Sequence, residues 1–151
     1  MNSKEILLAQ LDACHENTWF VSLLNAIDGV SKEQASWKPN GTSNSIFEIV
    51  NHLIFYNERY LNWFKGMKNE SSAETNTFEN KGALSWSETV KRITHIMNEW
   101  KRVVEQSDLT ESDSKAIELA HLTIHTTYHT GQIIYIRKLH DSWDPKNGVK
   151  G

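Results

Sequence analysis

The chain has little that would staple, stiffen or anchor it. Its 151 residues include one cysteine, Cys14, which excludes an internal disulfide and fits a reducing compartment. Two prolines, Pro39 and Pro145, leave long stretches where nothing interrupts a helix. No apolar run approaches the roughly 20 residues of a membrane-spanning helix. The N-terminal MNSKEILLAQLDACHENTWF lacks the unbroken apolar core of a signal peptide, because Gln10, Asp12, His15 and Glu16 interrupt it. Neither sign of charge dominates: 16 basic and 19 acidic residues are interspersed, for a net charge of −3. With no basic stripe to neutralise phosphates, nucleic acid is not an expected partner. A membrane is not expected either, and the cytoplasm is the expected location. No segment keeps up period-two alternation, so strands are not expected.

What is present is helical periodicity. The length suits one domain, 1–151, able to bury a core without staples, with a frayed tail from about residue 141. Leu7, Leu11, Cys14, Thr18 and Val21 recur along one side of a first helix predicted from Lys4 to Asp28, with Gly29 as its stop. SKEQASWKPNGTSN reads as a loop, since Pro39, Asn40 and Gly41 mark turns. Ser45 and Glu48 form a Ser-x-x-Glu capping box for a second helix that ends at Gly66. After the polar loop MKNESSAETNTFENKG, Ser85 and Glu88 repeat the box before the stripe Val90, Ile93, Met97, Trp100 and Val104. A last helix spans about Ser112 to His140. Four amphipathic helices joined by loops predict an all-α four-helix bundle.

The last helix carries the chemistry. In HLTIHTTYHTGQIIYIRKL, His125 and His129 stand four residues apart, about 40° around the helix. Two imidazoles so placed can grip one divalent ion. Ile117, Ala120, Ile124, Tyr128, Gly131 and Tyr135 form one wall of an apolar arc, and Leu122, Ile133 and Ile136 the other. His121, His125, His129 and Gln132 lie between these walls. Thr123, Thr126, Thr127, Thr130, Arg137 and Lys138 are left for the surface. Polar groups inside a buried arc need partners, and a metal would satisfy several imidazoles at once.

Two ligands do not make a site, and His52 on the second helix is the best third candidate, at the edge of that helix's apolar face. Glu48, one turn earlier, can accept the other ring N–H of a ligating histidine. His15, near Leu11 and Trp19, is a weaker fourth candidate or a substrate contact. His121 reads as a packed or pocket-lining residue, His95 as solvated, and His140 as a helix C-terminal charge. Cys14 reads as a small buried hydrophobe rather than a nucleophile.

The segment WKPNGTSNSIFEIVNHLIFYNERYL, followed much later by HTTYHTGQI, resembles the DinB/YfiT-like family of four-helix-bundle metalloproteins. The likeness runs from about Trp37 to Ile136. It implies His52, His125 and His129 as metal ligands, with the metal site between the second and last long helices. Gly131 and Gln132 match the residues that follow the last ligand, whereas Thr130 stands where the family often has Arg. The resemblance also implies a divalent transition metal such as zinc or nickel, and a homodimer.

Relatives include thiol-dependent S-transferases, so the leading expectation is transfer of a low-molecular-weight thiol to an electrophilic small molecule. The catalytic residue stays open among Glu48, His121 and His15. The alternatives are a metal-dependent hydrolase with Glu48 as general base, and a non-catalytic metal-binding or stress-associated protein.

Overall fold

The computed structural model describes residues 2–70, 76–109 and 113–150. It is all-helical among these residues. The elements are α1 (Ser3–His15), α2 (Leu23–Ile27), α3 (Lys32–Ser36), α4 (Ile46–Phe64), α5 (Trp86–Gln106), α6 (Asp113–Leu139) and a 3₁₀ turn over Pro145–Asn147. The four longer helices form the bundle. α1 and α4 each pack against both α5 and α6, so α1 and α4 sit on one diagonal and α5 and α6 on the other. Among the described residues, no helix is long and apolar enough to cross a membrane.

Both expected capping boxes are present. Ser45 Oγ accepts from the Glu48 N–H at 3.1 Å, and Ser85 Oγ from the Glu88 N–H at 3.2 Å. Two further boxes, Asn2 with Glu5 and Ser31 with Gln34, start α1 and α3. α4 stops where Gly66 takes φ +75°, which lets the Gly66 and Met67 N–H groups reach back to the carbonyls of Trp63 and Asn62. The expected start of the last helix at Ser112 lies outside the described residues.

The first helix is not the continuous Lys4–Asp28 element that the periodicity predicts. It ends at His15, where Glu16 turns extended. Asn17 Oδ1 then accepts from the Ser22 N–H at 3.0 Å and from the Asn25 side chain at 2.9 Å, and Ser22 caps α2. Short polar side chains that bond their own backbone compete with the helix. Beyond the break Val21 still packs against the core cluster that holds Cys14, while Thr18 lies exposed in the break. The stretch expected to be a loop contains α3. In the C-terminal segment the Asn147 carbonyl accepts from the Asn17 side chain at 3.1 Å, and the Ser142 carbonyl from Arg137 at 2.6 Å.

α6 is rotated relative to the expected arc. Ile117, Ile124, Tyr128 and Tyr135, placed on a buried wall by the wheel, face outward, with Ile124 62% and Tyr128 65% exposed. The expected surface residues Thr123, Thr126, Thr130 and Arg137 are buried instead. The threonines tolerate this because their hydroxyls are satisfied within the fold. Thr130 donates to the Thr126 carbonyl at 2.8 Å and Thr127 to that of Thr123 at 2.9 Å. Thr123 lies 2.7 Å from Gln10 Oε1. A threonine bonded in this way presents a methyl group to the core. The core divides into one cluster around Ile46, Val50, Ile93 and Ile133 and another around Leu11, Leu61, Trp100 and Leu119. The histidines lie where α4 faces α6.

Candidate metal centre

His52 projects from the middle of α4, and His125 and His129 project one turn apart from α6. Their ligand atoms lie within 4.8 Å of one another, a grouping able to hold a metal ion. The approach is closest at the ε nitrogens: His52 Nε2 to His125 Nε2 is 3.0 Å, and His129 Nε2 to His125 Nε2 is 3.1 Å. Nitrogens that share a zinc-like ion at about 2.0–2.1 Å stand about 3.0–3.4 Å apart, depending on the coordination angle. The spacing therefore fits a shared ion with little adjustment.

The outer ring nitrogens explain why the ε nitrogens turn inward. Gln132 Oε1 accepts from Nδ1 of His129 at 2.7 Å. Thr77 Oγ1 meets Nδ1 of His52 at 2.7 Å. Gln132 Oε1 only accepts, so Nδ1 of His129 carries the proton, and a Thr77 hydroxyl that accepts lets His52 do the same; each Nε2 then carries a bare lone pair aimed at His125. Lone pairs at this distance repel unless a proton or a cation stands between them. A proton on His125 Nε2 can serve one of its two neighbours but not both, whereas a shared cation serves all three nitrogens.

Burial and mutual repulsion keep the trio neutral. Burial first, and then the neighbouring His129 and His125, push His52 down to about 4. Burial lowers His125 as well, again helped by His129. His129 is lowered by burial, although its bond to Gln132 opposes the shift. A neutral imidazole is the form that ligates metals. Phe78 closes one side, stacked on His52 at 4.2 Å and 6°, and Tyr56 meets the His52 ring edge-on at 5.0 Å.

The other candidates are placed elsewhere. Glu48 is not the partner of His52. Its carboxylate lies 2.6 Å from Lys38 Nζ and 3.3 Å from Ser45 Oγ, at the capping turn of α4. His15 is tied on the α1–α5 seam, with Nδ1 at 2.9 Å from the Leu11 carbonyl and Nε2 at 3.2 Å from Asn98. His121 lines a cavity that also touches His125. His95 is exposed, and His140 stacks flat on Trp37 at 4.4 Å. Cys14 is buried in the core, where desolvation pushes its thiol up to about 12.

Thr77 and Phe78 are the residues that sequence reasoning missed. They sit in the polar segment after α4, where a lone aromatic beside a threonine was the available signal.

A helical bundle with three histidines converging from two helices defines a class of candidate metalloproteins. The sequence profile of the DinB superfamily matches residues 10–133, and the chain belongs to that superfamily. No curated protein and no solved structure matches it.

Proposed function

We propose that this protein is a metal-dependent enzyme that transfers a low-molecular-weight thiol to an electrophilic small molecule. The observation that carries this reading is the convergence of three imidazoles on one point, with no further ligand among the described residues. A structural zinc site takes four protein ligands, whereas three leave room for a small molecule. A zinc- or nickel-like ion bound there supplies Lewis acidity that lowers the pKa of a thiol or water brought to it.

The chain's own residues supply the rest. His52, His125 and His129 hold the ion, while Thr77 and Gln132 fix the tautomers of two of them. Phe78 and Tyr56 keep water from the His52 side. His121 lines the adjoining cavity, where its imidazole can take the proton that the thiol loses. The sulfur lone pair forms the new carbon–sulfur bond, and the leaving group departs with its electron pair. Cys14 takes no part, being buried in the core with its thiol held protonated.

Hydrolysis by an activated water ranks second. The general base expected for it, Glu48, has its carboxylate engaged by Ser45 and Lys38.

The test incubates the metal-loaded protein with a panel of small thiols and a model electrophile. Consumption of at least one thiol faster than with metal-free protein is expected. Rates equal to the metal-free control across the panel contradict the proposal, and electrophile loss without thiol consumption favours hydrolysis.

A further inference from the structure

A cavity of about 180 Å³ lies beside the histidine cluster, lined by Tyr56, Tyr60, Glu118, His121, Leu122 and His125. It is roughly six waters' worth of space. Its lining follows from helical register. On α4, Tyr56 and Tyr60 follow His52 at successive turns, and on α6, His121 and Glu118 precede His125 by one and two turns. The cavity thus runs from an imidazole of the cluster to a carboxylate seven residues away, about 10 Å along the helix.

Glu118 is unusual among the glutamates that face a helix neighbour. Glu48 is paired with Lys38, Glu58 with Arg92, and Glu99 with Lys65. Glu118 is half-buried and has no ion pair or hydrogen bond among the described residues. The cation best placed to serve it, Lys115 one turn earlier, is turned away. Its ammonium donates to the Phe64 carbonyl at 2.8 Å and sits over the Phe64 ring. The Tyr56 and Tyr60 hydroxyls and the His121 imidazole also lack a hydrogen-bond partner among the described residues.

A carboxylate partly withdrawn from water, without a cation of its own and flanked by two phenol rings, is complementary to an ammonium group. The N–H bonds of an ammonium meet the carboxylate as charge-assisted hydrogen bonds, and the ring faces attract the same charge. A ligand carboxylate would be repelled, and a neutral group would gain neither interaction. We propose that this cavity binds the primary ammonium group of a small substrate, with Glu118 as its counter-ion. Resting on the thiol reading above, this makes the preferred thiol an aminothiol, its sulfur at the histidine cluster and its nitrogen toward Glu118.

Two ligand pairs that differ in the ammonium test this at low ionic strength. They are 4-aminobutane-1-thiol against 4-mercaptobutan-1-ol, and butylamine against butanol. Calorimetry on the cobalt-loaded protein gives the affinities, and the cobalt absorption spectrum reports thiol arrival. The ammonium member of each pair should bind about tenfold more tightly. In Glu118→Gln, which keeps the side-chain shape, each pair should converge to within about twofold while thermal melting is unchanged. Equal affinities within both pairs in the wild type overturn the proposal, as does a preference that persists in Glu118→Gln. A silent cobalt spectrum with the butylamine preference intact removes the thiol and keeps the amine site. A spectral response to both thiols with no ammonium preference does the reverse.

Discussion

The Nδ1 atom of His52 finds its hydrogen-bond partner in a loop, not in a helix. Thr77 Oγ1 reaches it at 2.7 Å across 25 positions of sequence, while Gln132 performs the same task for His129 from one turn away. Groups that orient a ligating histidine typically matter about 10- to 100-fold in metal affinity. Thr77→Val and Gln132→Leu should each weaken metal binding by an amount in that range, measured by competition with a chromophoric chelator. Glu48→Gln, which can keep the capping box as Gln34 does with Ser31, should instead leave metal affinity within a few-fold. If Glu48→Gln weakens binding and Thr77→Val does not, the assignment of roles is reversed. The inner and outer partners differ in legibility for a physical reason. Gln132 is fixed by helical spacing, which a sequence displays, whereas Thr77 reaches His52 through loop closure, which it does not.

At the scale of elements, α6 departs most from its helical wheel. Counting Thr and Arg as surface types rotates the helix the wrong way, because a threonine that bonds its preceding turn behaves as a β-branched apolar residue. Arg137 is buried for a different reason. Its guanidinium donates to the carbonyls of Ala26, Asp28 and Ser142, and so ties the end of α2 and the C-terminal segment to α6. Three carbonyls spread over two segments match a planar fork and not a single ammonium. Arg137→Ala should therefore lower the unfolding free energy by about 2–3 kcal/mol in urea titrations, and Arg137→Lys should recover less than half of that. A loss within experimental error for Arg137→Ala would contradict this role. The capping boxes at Ser45 and Ser85 were legible because they are local patterns of three residues. The break after His15 was not, because the apolar spacing continues across it.

Across the whole molecule, the bundle brings together on one axis what the chain holds far apart. α4 and α6 pack side by side, so His52 meets His125 across 73 positions, and the rows below them enclose the cavity that ends at Glu118. The bundle architecture and the identity of the three histidines could be anticipated from patterns and from the likeness to a family. The depth of α6 in the core, the role of the loop at Thr77 and the unpaired Glu118 depend on how the helices rotate against one another, which no single helix encodes. Any chemistry at this site depends on the three imidazoles sharing one ion. Metal analysis of the protein purified without chelators, beside His52→Ala, His125→Ala and His129→Ala, addresses that most directly. About one transition-metal ion per chain is expected in the wild type, with loss of most of it in every variant whose helical circular dichroism is retained. A metal-free wild type that also takes up no zinc, nickel or cobalt on addition, or a folded variant that keeps the wild-type metal content, would contradict it.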